Sequence, residues 1–127
     1  MKAIVYNSYG DINSLEITEI NEPRPSSNEV VVKIRAISLN PVDLKKMSGG
    51  FKLITNVKKF PKTMGCDFSG EIIEIGKDVG AFKVGDNVGV GVYVDACENC
   101  NNCKSNNDHY CEEGIVLTYN SYEYGTR

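Results

Sequence analysis

The chain has 127 residues, of which 41% are hydrophobic and 24% are charged. This is the composition of one compact globular domain, and a chain of this length buries about 65–70% of its unfolded surface without needing disulfides or metals to hold a core. The 14 basic and 17 acidic residues give a net charge of -3, and the basic residues are scattered. Nucleic acid and anionic membranes are therefore not expected partners. There is no apolar run of about 20 residues and no secretory signal, so we expect a cytoplasmic protein.

The first third of the chain predicts β-structure. Short segments rich in Val and Ile are separated by turn residues, a pattern typical of an all-β fold with only short helices. Lys2–Tyr6 and Ser14–Ile20 predict a hairpin around a polar turn, and the loop that follows, Asn21–Asn28, contains two prolines that cannot pair in a ladder. Residues 30–37 alternate between a wholly apolar face and a mixed one, which predicts a half-buried strand.

One short helix is expected at residues 40–49. Asn40 can cap it, Pro41 suits its first turn, and Gly49 can end it. An acid near the start, Asp43, and two lysines near the end suit the helix dipole.

Two further strands are predicted after this helix. Ile72, Ile73 and Ile75 belong to a strand that stops at Gly76. Valines then alternate with period two from Val88 to Val94, with Gly89 and Gly91 on the opposite face. Glycines in a strand indicate either a close approach to the backbone or a bend.

Four of the five cysteines form a cluster in a polar segment, at Cys97, Cys100, Cys103 and Cys111. The segment has too few apolar residues to fold by burial, so another interaction must order it. Four thiolates at this spacing favour a structural Zn²⁺ with a complete tetrahedral shell. Disulfides are disfavoured by the odd cysteine count and the expected reducing location, and the seven-residue final gap differs from the ferredoxin pattern.

Several motifs resemble the medium-chain dehydrogenase/reductase superfamily, which includes zinc alcohol dehydrogenases and quinone oxidoreductases. The cysteine spacing is similar to that of the superfamily's zinc lobe. The signature Gly65-Cys66-Asp67-x2-Gly70-x5-Gly76-x2-Val79 departs from the Gly-His-Glu signature only at Cys66 and Asp67. Asn40-Pro41-Val42-Asp43-x-Lys45 resembles quinone and enone reductases, whereas residues 111–120 resemble cinnamyl alcohol dehydrogenases.

The resemblance implies a GroES-like domain over residues 1–127, a partly open β-barrel with a zinc-binding lobe at about residues 95–113. In this superfamily a Rossmann domain that binds NADP or NAD follows the GroES-like domain. We expect that domain to lie outside this chain, and we expect the chain alone to be inactive because side chains cannot donate hydride. A homo-oligomer formed through the missing domain is also expected.

The resemblance places Asn40 and Cys66 where zinc alcohol dehydrogenases hold their catalytic metal. Asn is a poor zinc ligand, and Val42 replaces a proton-relaying hydroxyl. The reductase pattern instead implies hydride transfer from NADPH to a conjugated carbonyl or quinone, with Asn40, Asp43 and Lys45 as candidate catalytic residues. Asn40 is also the candidate contact to the cofactor.

These candidates have plainer alternative roles, namely helix capping for Asn40 and Asp43 and a solvated surface position for Lys45. Cys66 is expected to be a small buried residue before a strand, and His109 a surface residue rather than a ligand. Two other functions stay open: an alcohol dehydrogenase acting on an alcohol substrate through zinc bound by Cys66 and Asp67, and a stand-alone zinc module that binds a partner.

Overall fold

The computed structural model describes residues 1–50 and 60–118, and within these ranges the chain consists mainly of short strands. The strands are β1 Lys2–Tyr6, β2 Leu15–Glu19, β3 Val30–Ile37, β4 Lys62–Thr63, β5 Phe68–Ile75, β6 Asn87–Val90, β7 Tyr93–Asp95 and β8 Val116–Leu117. The helices are α1 Pro41–Met47 and α2 Asn101–Lys104, with single 3₁₀ turns at Ile12–Ser14 and Asp108–Tyr110. The expected all-β class is confirmed.

The strands form three small antiparallel sheets, with strand orders β2-β1-β4, β3-β5-β6 and β7-β8. The first sheet contains the predicted hairpin, whose register runs from the Lys2–Glu19 pair to the Tyr6–Leu15 pair. Its turn is stabilised by Asp11, whose Oδ1 accepts the backbone N–H of Asn13 at 2.9 Å. In the described ranges, no helix has the length and apolar character to cross a bilayer.

The buried core of the described residues is formed by side chains of β1, β3, α1, β5 and the segment before β5. Its most buried side chains are Val5, Tyr6, Met47, Cys66 and Ile72. Tyr6 also meets Phe60 edge to face, with ring centroids 5.8 Å apart. Burial of these side chains fixes the inner face of α1, and thereby the position of the residues around Cys66.

Strand β3 differs from its predicted burial pattern. Val31, from the mixed face, is buried, whereas Ile34, from the apolar face, is 51% exposed. The register of β3 on β5 shifts between Val31 and Val32 and again between Ile34 and Ala36. Such irregularities change which side chains face the core, so a strict period-two pattern overestimates the buried face.

Helix α1 has the predicted boundaries. Asn40 precedes it with extended backbone, Pro41 is its first residue, and Gly49 follows it with φ of 83°. Gly49 donates its N–H to the carbonyl of Lys46 at 3.0 Å, which closes the last turn. Local capping signals therefore determined both ends of this element.

The valine run from Val88 to Val94 is divided between β6 and β7 and is not one strand. Among the described residues, no atom lies within 4 Å of a Cβ built on Gly89 or Gly91. Gly91 lies between β6 and β7, where the run is interrupted, whereas Gly89 lies within β6 and pairs with Ser69. The predicted stop of β5 before Gly76 is confirmed.

Close backbone approach occurs at Gly76 instead, where an added Cβ would overlap the backbone oxygens of Ser26 and Ser27. We expect Gly76→Ala to lower the free energy of unfolding by about 1–3 kcal/mol, because the Ser26–Asn28 loop must move away from β5. The matched control is Gly89→Ala, which adds the same methyl group in open space and should change stability by less than about 0.5 kcal/mol. Urea unfolding midpoints measure both, and equal midpoints for the two variants would contradict this packing.

Candidate metal centre and active-site corner

The four clustered cysteines meet at one point of the segment 95–113, which we call the cysteine lobe. Cys97 follows β7, Cys100 caps α2, Cys103 lies within α2, and Cys111 follows the second 3₁₀ turn. All four Sγ atoms lie within 4.8 Å of one another. A short strand, a one-turn helix and a 3₁₀ turn thus bring four thiols together.

The geometry of the cluster fits a four-thiolate metal. The Sγ atoms of Cys97 and Cys103 are 3.8 Å apart. A tetrahedral zinc with bonds of about 2.3 Å separates its sulfurs by about 3.8 Å, so this edge has the length that zinc requires. Backbone N–H groups also point at the sulfurs, from Cys100 to Cys97 Sγ at 3.3 Å and from Cys97 to Cys111 Sγ at 3.5 Å. Such donors stabilise thiolates.

The surroundings shift the pKa values of two of the thiols in opposite directions. Backbone N–H groups of Glu112 and Cys103 lower the pKa of Cys100 to about 6. Desolvation, followed by the hydrogen bond with Cys100, raises the pKa of Cys103 to about 12. A dication bound by the four sulfurs would favour deprotonation of all of them.

Two side-chain contacts fix the shape of the cysteine lobe. The Tyr93 hydroxyl donates to Asp108 Oδ2 at 2.6 Å and joins β7 to the second 3₁₀ turn. Asn102 donates from Nδ2 to the carbonyl of Tyr110 at 2.8 Å. His109 is exposed and lies against the ring of Tyr110, and it is not part of the group of converging ligand atoms.

The second group of candidate residues lies where the start of α1 meets the segment before β5. We call it the corner and define it as Asn40, Asp43, Lys46, Cys66 and Asp67. Asn40 donates from Nδ2 to Asp67 Oδ2 at 2.8 Å, and its backbone N–H donates to Asp43 Oδ2 at 2.9 Å. The backbone N–H of Ser38 binds the carbonyl of Asp67 at 2.9 Å. Asn40 thus links Asp43 and Asp67, two acids that are far apart in the sequence.

Cys66 is a buried neutral thiol. Its side chain is 2% exposed, and burial, together with Asp43 and Asp67, raises its pKa to about 11. A side-chain hydrogen bond with Asp43 also favours the protonated thiol. A neutral thiol is a weak metal ligand and a weak nucleophile. Within residues 1–50 and 60–118, only the four lobe cysteines bring three or more His, Cys, Asp or Glu ligand atoms within 4.8 Å of one another.

The candidate catalytic residues at the start of α1 and within it differ in their exposure to solvent. Asn40 is partly buried and Asp43 is buried, and Asp43 accepts a backbone N–H as the capping alternative expects. Lys45 is exposed and lies beside Gly50. The sequence reasoning missed Lys46, which is only 6% exposed. Helical spacing could have found it, since Lys46 follows Asp43 by three residues and shares its face.

Comparison with known proteins identifies the family. The family model for the alcohol dehydrogenase GroES-like domain matches residues 26–126. The chain belongs to this family. The expected GroES-like fold and the membership of the medium-chain dehydrogenase/reductase superfamily are thereby confirmed.

Relatives come from more than one branch of the superfamily. The chain is 31% identical over 127 residues to cinnamyl alcohol dehydrogenase 7 of Oryza sativa, covering 99% of this chain and 32% of that protein. It is 44% identical over 89 residues to the chloroplast envelope quinone oxidoreductase homolog of Arabidopsis thaliana, covering 69% of this chain and 27% of that protein. The chain thus spans about a third or less of these relatives.

The similar solved structures also include both alcohol dehydrogenases and quinone oxidoreductases. An NAD-dependent alcohol dehydrogenase aligns with a TM-score of 0.82 and 27% identity over 94% of this chain and 34% of that one. The quinone oxidoreductase of Coxiella burnetii aligns with a TM-score of 0.65 and 38% identity over 70% of this chain and 28% of that one. Of these two structures, the quinone oxidoreductase is more identical to this chain, and the alcohol dehydrogenase matches more of it.

We expect Cys103→Ser to remove the metal and disorder the cysteine lobe while the sheets stay folded, because the lobe has no apolar core. Limited proteolysis, with and without a chelator, should then show cleavage confined to residues 95–113. The control is Cys66→Ser, which changes the one cysteine outside the lobe and should leave the metal content unchanged. If removal of the metal unfolds the whole domain, the lobe is not an independent unit.

Proposed function

We propose that this chain is the substrate-side portion of an NAD(P)H-dependent medium-chain oxidoreductase of the quinone or enone reductase type. In this proposal the cysteine lobe holds a structural zinc and the corner works without a catalytic one. The observation that carries it is the hydrogen bond from Asn40 Nδ2 to Asp67 Oδ2 at 2.8 Å. An amide and a carboxylate paired in this way leave Cys66 without the ligand partners that a catalytic zinc needs.

The zinc would be held by Cys97, Cys100, Cys103 and Cys111. Four protein sulfurs complete its shell and leave no position for water or substrate, so its contribution is to order the lobe. The reaction would therefore depend on the corner and on a nicotinamide cofactor bound by another part of the full-length protein. Bound NAD(P)H supplies the hydride.

Asn40 is the residue that we assign to the substrate carbonyl. Its side-chain amide has two N–H donors, of which the described hydrogen bonds use one, toward Asp67. The other can donate to a carbonyl oxygen that gains negative charge as hydride reaches the conjugated carbon. Asp67 fixes the amide orientation, and Asp43 fixes the backbone of Asn40. Lys45, exposed on the same helix, is proposed to contact the cofactor or the substrate.

A zinc-dependent alcohol dehydrogenase is the second candidate function. It is favoured by the relatives that match nearly the whole chain, a cinnamyl alcohol dehydrogenase and an NAD-dependent alcohol dehydrogenase. It would need a metal bound through Cys66 and Asp67 with a ligand from outside this chain. The hydrogen bond between Asn40 and Asp67 argues against it, because it already engages the carboxylate that this metal would need. A cytoplasmic location and a homo-oligomer stay predictions.

The full-length protein should reduce quinones or enones with NADPH or NADH. Asn40→Ala should lower kcat/KM by roughly a hundredfold through loss of one donor to the developing oxyanion. The control is Asn28→Ala in the exposed loop before β3, which should leave kcat/KM unchanged. Alcohol oxidation that requires a second zinc per chain, and that Cys66→Ser abolishes, would support the second candidate and contradict the first.

A further inference from the structure

The proposed reaction does not use two buried lysines, Lys46 of the corner and Lys62 of β4. Lys46 on α1 and Lys62 at the start of β4 are 6% and 8% exposed, and Asp43 beside them is 5% exposed. An ammonium group is expensive to bury unless charges or hydrogen bonds compensate it. The interactions of these three side chains with neighbouring charges are therefore stronger than they would be at the surface.

The two lysines come from different elements, and the charge of Lys62 influences the pKa of Lys46. Lys46 follows Asp43 by three residues on the inner face of α1, next to the buried Met47. Lys62 lies opposite Tyr6, across the pairing of β4 with β1. Burial, followed by the charge of Lys62, lowers the pKa of Lys46 to about 8, while Asp43 and Cys66 act in the opposite direction. Lys46 is thus electrostatically coupled to the Asp43 carboxylate, to the Cys66 thiol and to a second cation.

The two acids of the corner already have partners. Asp43 accepts the backbone N–H of Asn40, is hydrogen-bonded to Cys66 and is electrostatically coupled to Lys46. Asp67 accepts the Asn40 amide. A dication entering at Cys66 would have to displace these donors, and it would meet the repulsion of nearby ammonium groups in a region that water does not screen.

We propose that Lys46, supported by Lys62, is the resident cation of the corner and excludes a divalent metal from Cys66. This inference rests on the proposed function, because it gives a reason why the corner works without catalytic zinc. It makes Lys46 a residue that determines metal specificity and not a catalytic one. The lysine takes the electrostatic role of a metal ion toward Asp43 without offering substrate an open coordination position.

The test is a cobalt titration of the full-length protein with its cysteine lobe loaded with zinc. Wild type should bind no additional Co²⁺ through Cys66. Lys46→Met and Lys46→Gln, two neutral variants that differ in polarity, should each bind one additional Co²⁺ at least roughly tenfold more tightly than wild type. The added ion should show thiolate-to-cobalt absorption, and a further Cys66→Ser change should remove that absorption.

Lys45→Met is the matched control, since it removes an exposed lysine of the same helix and should gain no site. Equal cobalt binding by Lys45→Met and Lys46→Met would assign the effect to net charge and overturn the inference. If neither Lys46 variant binds cobalt more tightly than wild type, the inference is wrong while the proposed metal-free reductase stands. If wild type itself binds cobalt through Cys66, both are contradicted.

Discussion

The convergence of four cysteine sulfurs is the interaction on which the structure of residues 95–113 depends. The lobe contains helices of a single turn and no buried apolar side chain among its described residues. Its backbone adopts left-handed conformations at Glu98 and Asn106, with φ of 59° and 58°. Such turns are unfavourable in isolation for most residues, and the proposed zinc would supply roughly 10 kcal/mol or more to hold them.

The corner differs from the lobe because it buries charged and polar side chains next to a single cysteine. Asp43 connects its parts because it receives the Asn40 backbone N–H, is hydrogen-bonded to the Cys66 thiol and is coupled to the charge of Lys46. The same protein thus contains two cysteine environments of different chemistry. In the lobe, backbone N–H donors lower the pKa of Cys100, whereas in the corner burial and neighbouring acids raise the pKa of Cys66.

Elements specified by local signals could be predicted from the sequence. The hairpin, the ends of α1 and the stop of β5 follow from turn and capping residues next to them, and the cysteine spacing itself indicates the metal-binding lobe. Features that depend on distant parts of the chain could not be predicted. Irregular pairing with β5 exposes Ile34, and the burial of Lys46 depends on how α1 lies against Cys66 and β4. Side-chain periodicity describes one element and cannot report such tertiary contacts.

The most direct test of the account is zinc X-ray absorption spectroscopy on the full-length protein, combined with metal analysis. The account predicts one zinc per chain with a first shell of four sulfurs at about 2.3 Å. A second zinc equivalent, or a shell that mixes sulfur with nitrogen or oxygen, would contradict it, because zinc would then occupy the corner that the structure assigns to Asn40, Lys46 and a neutral thiol.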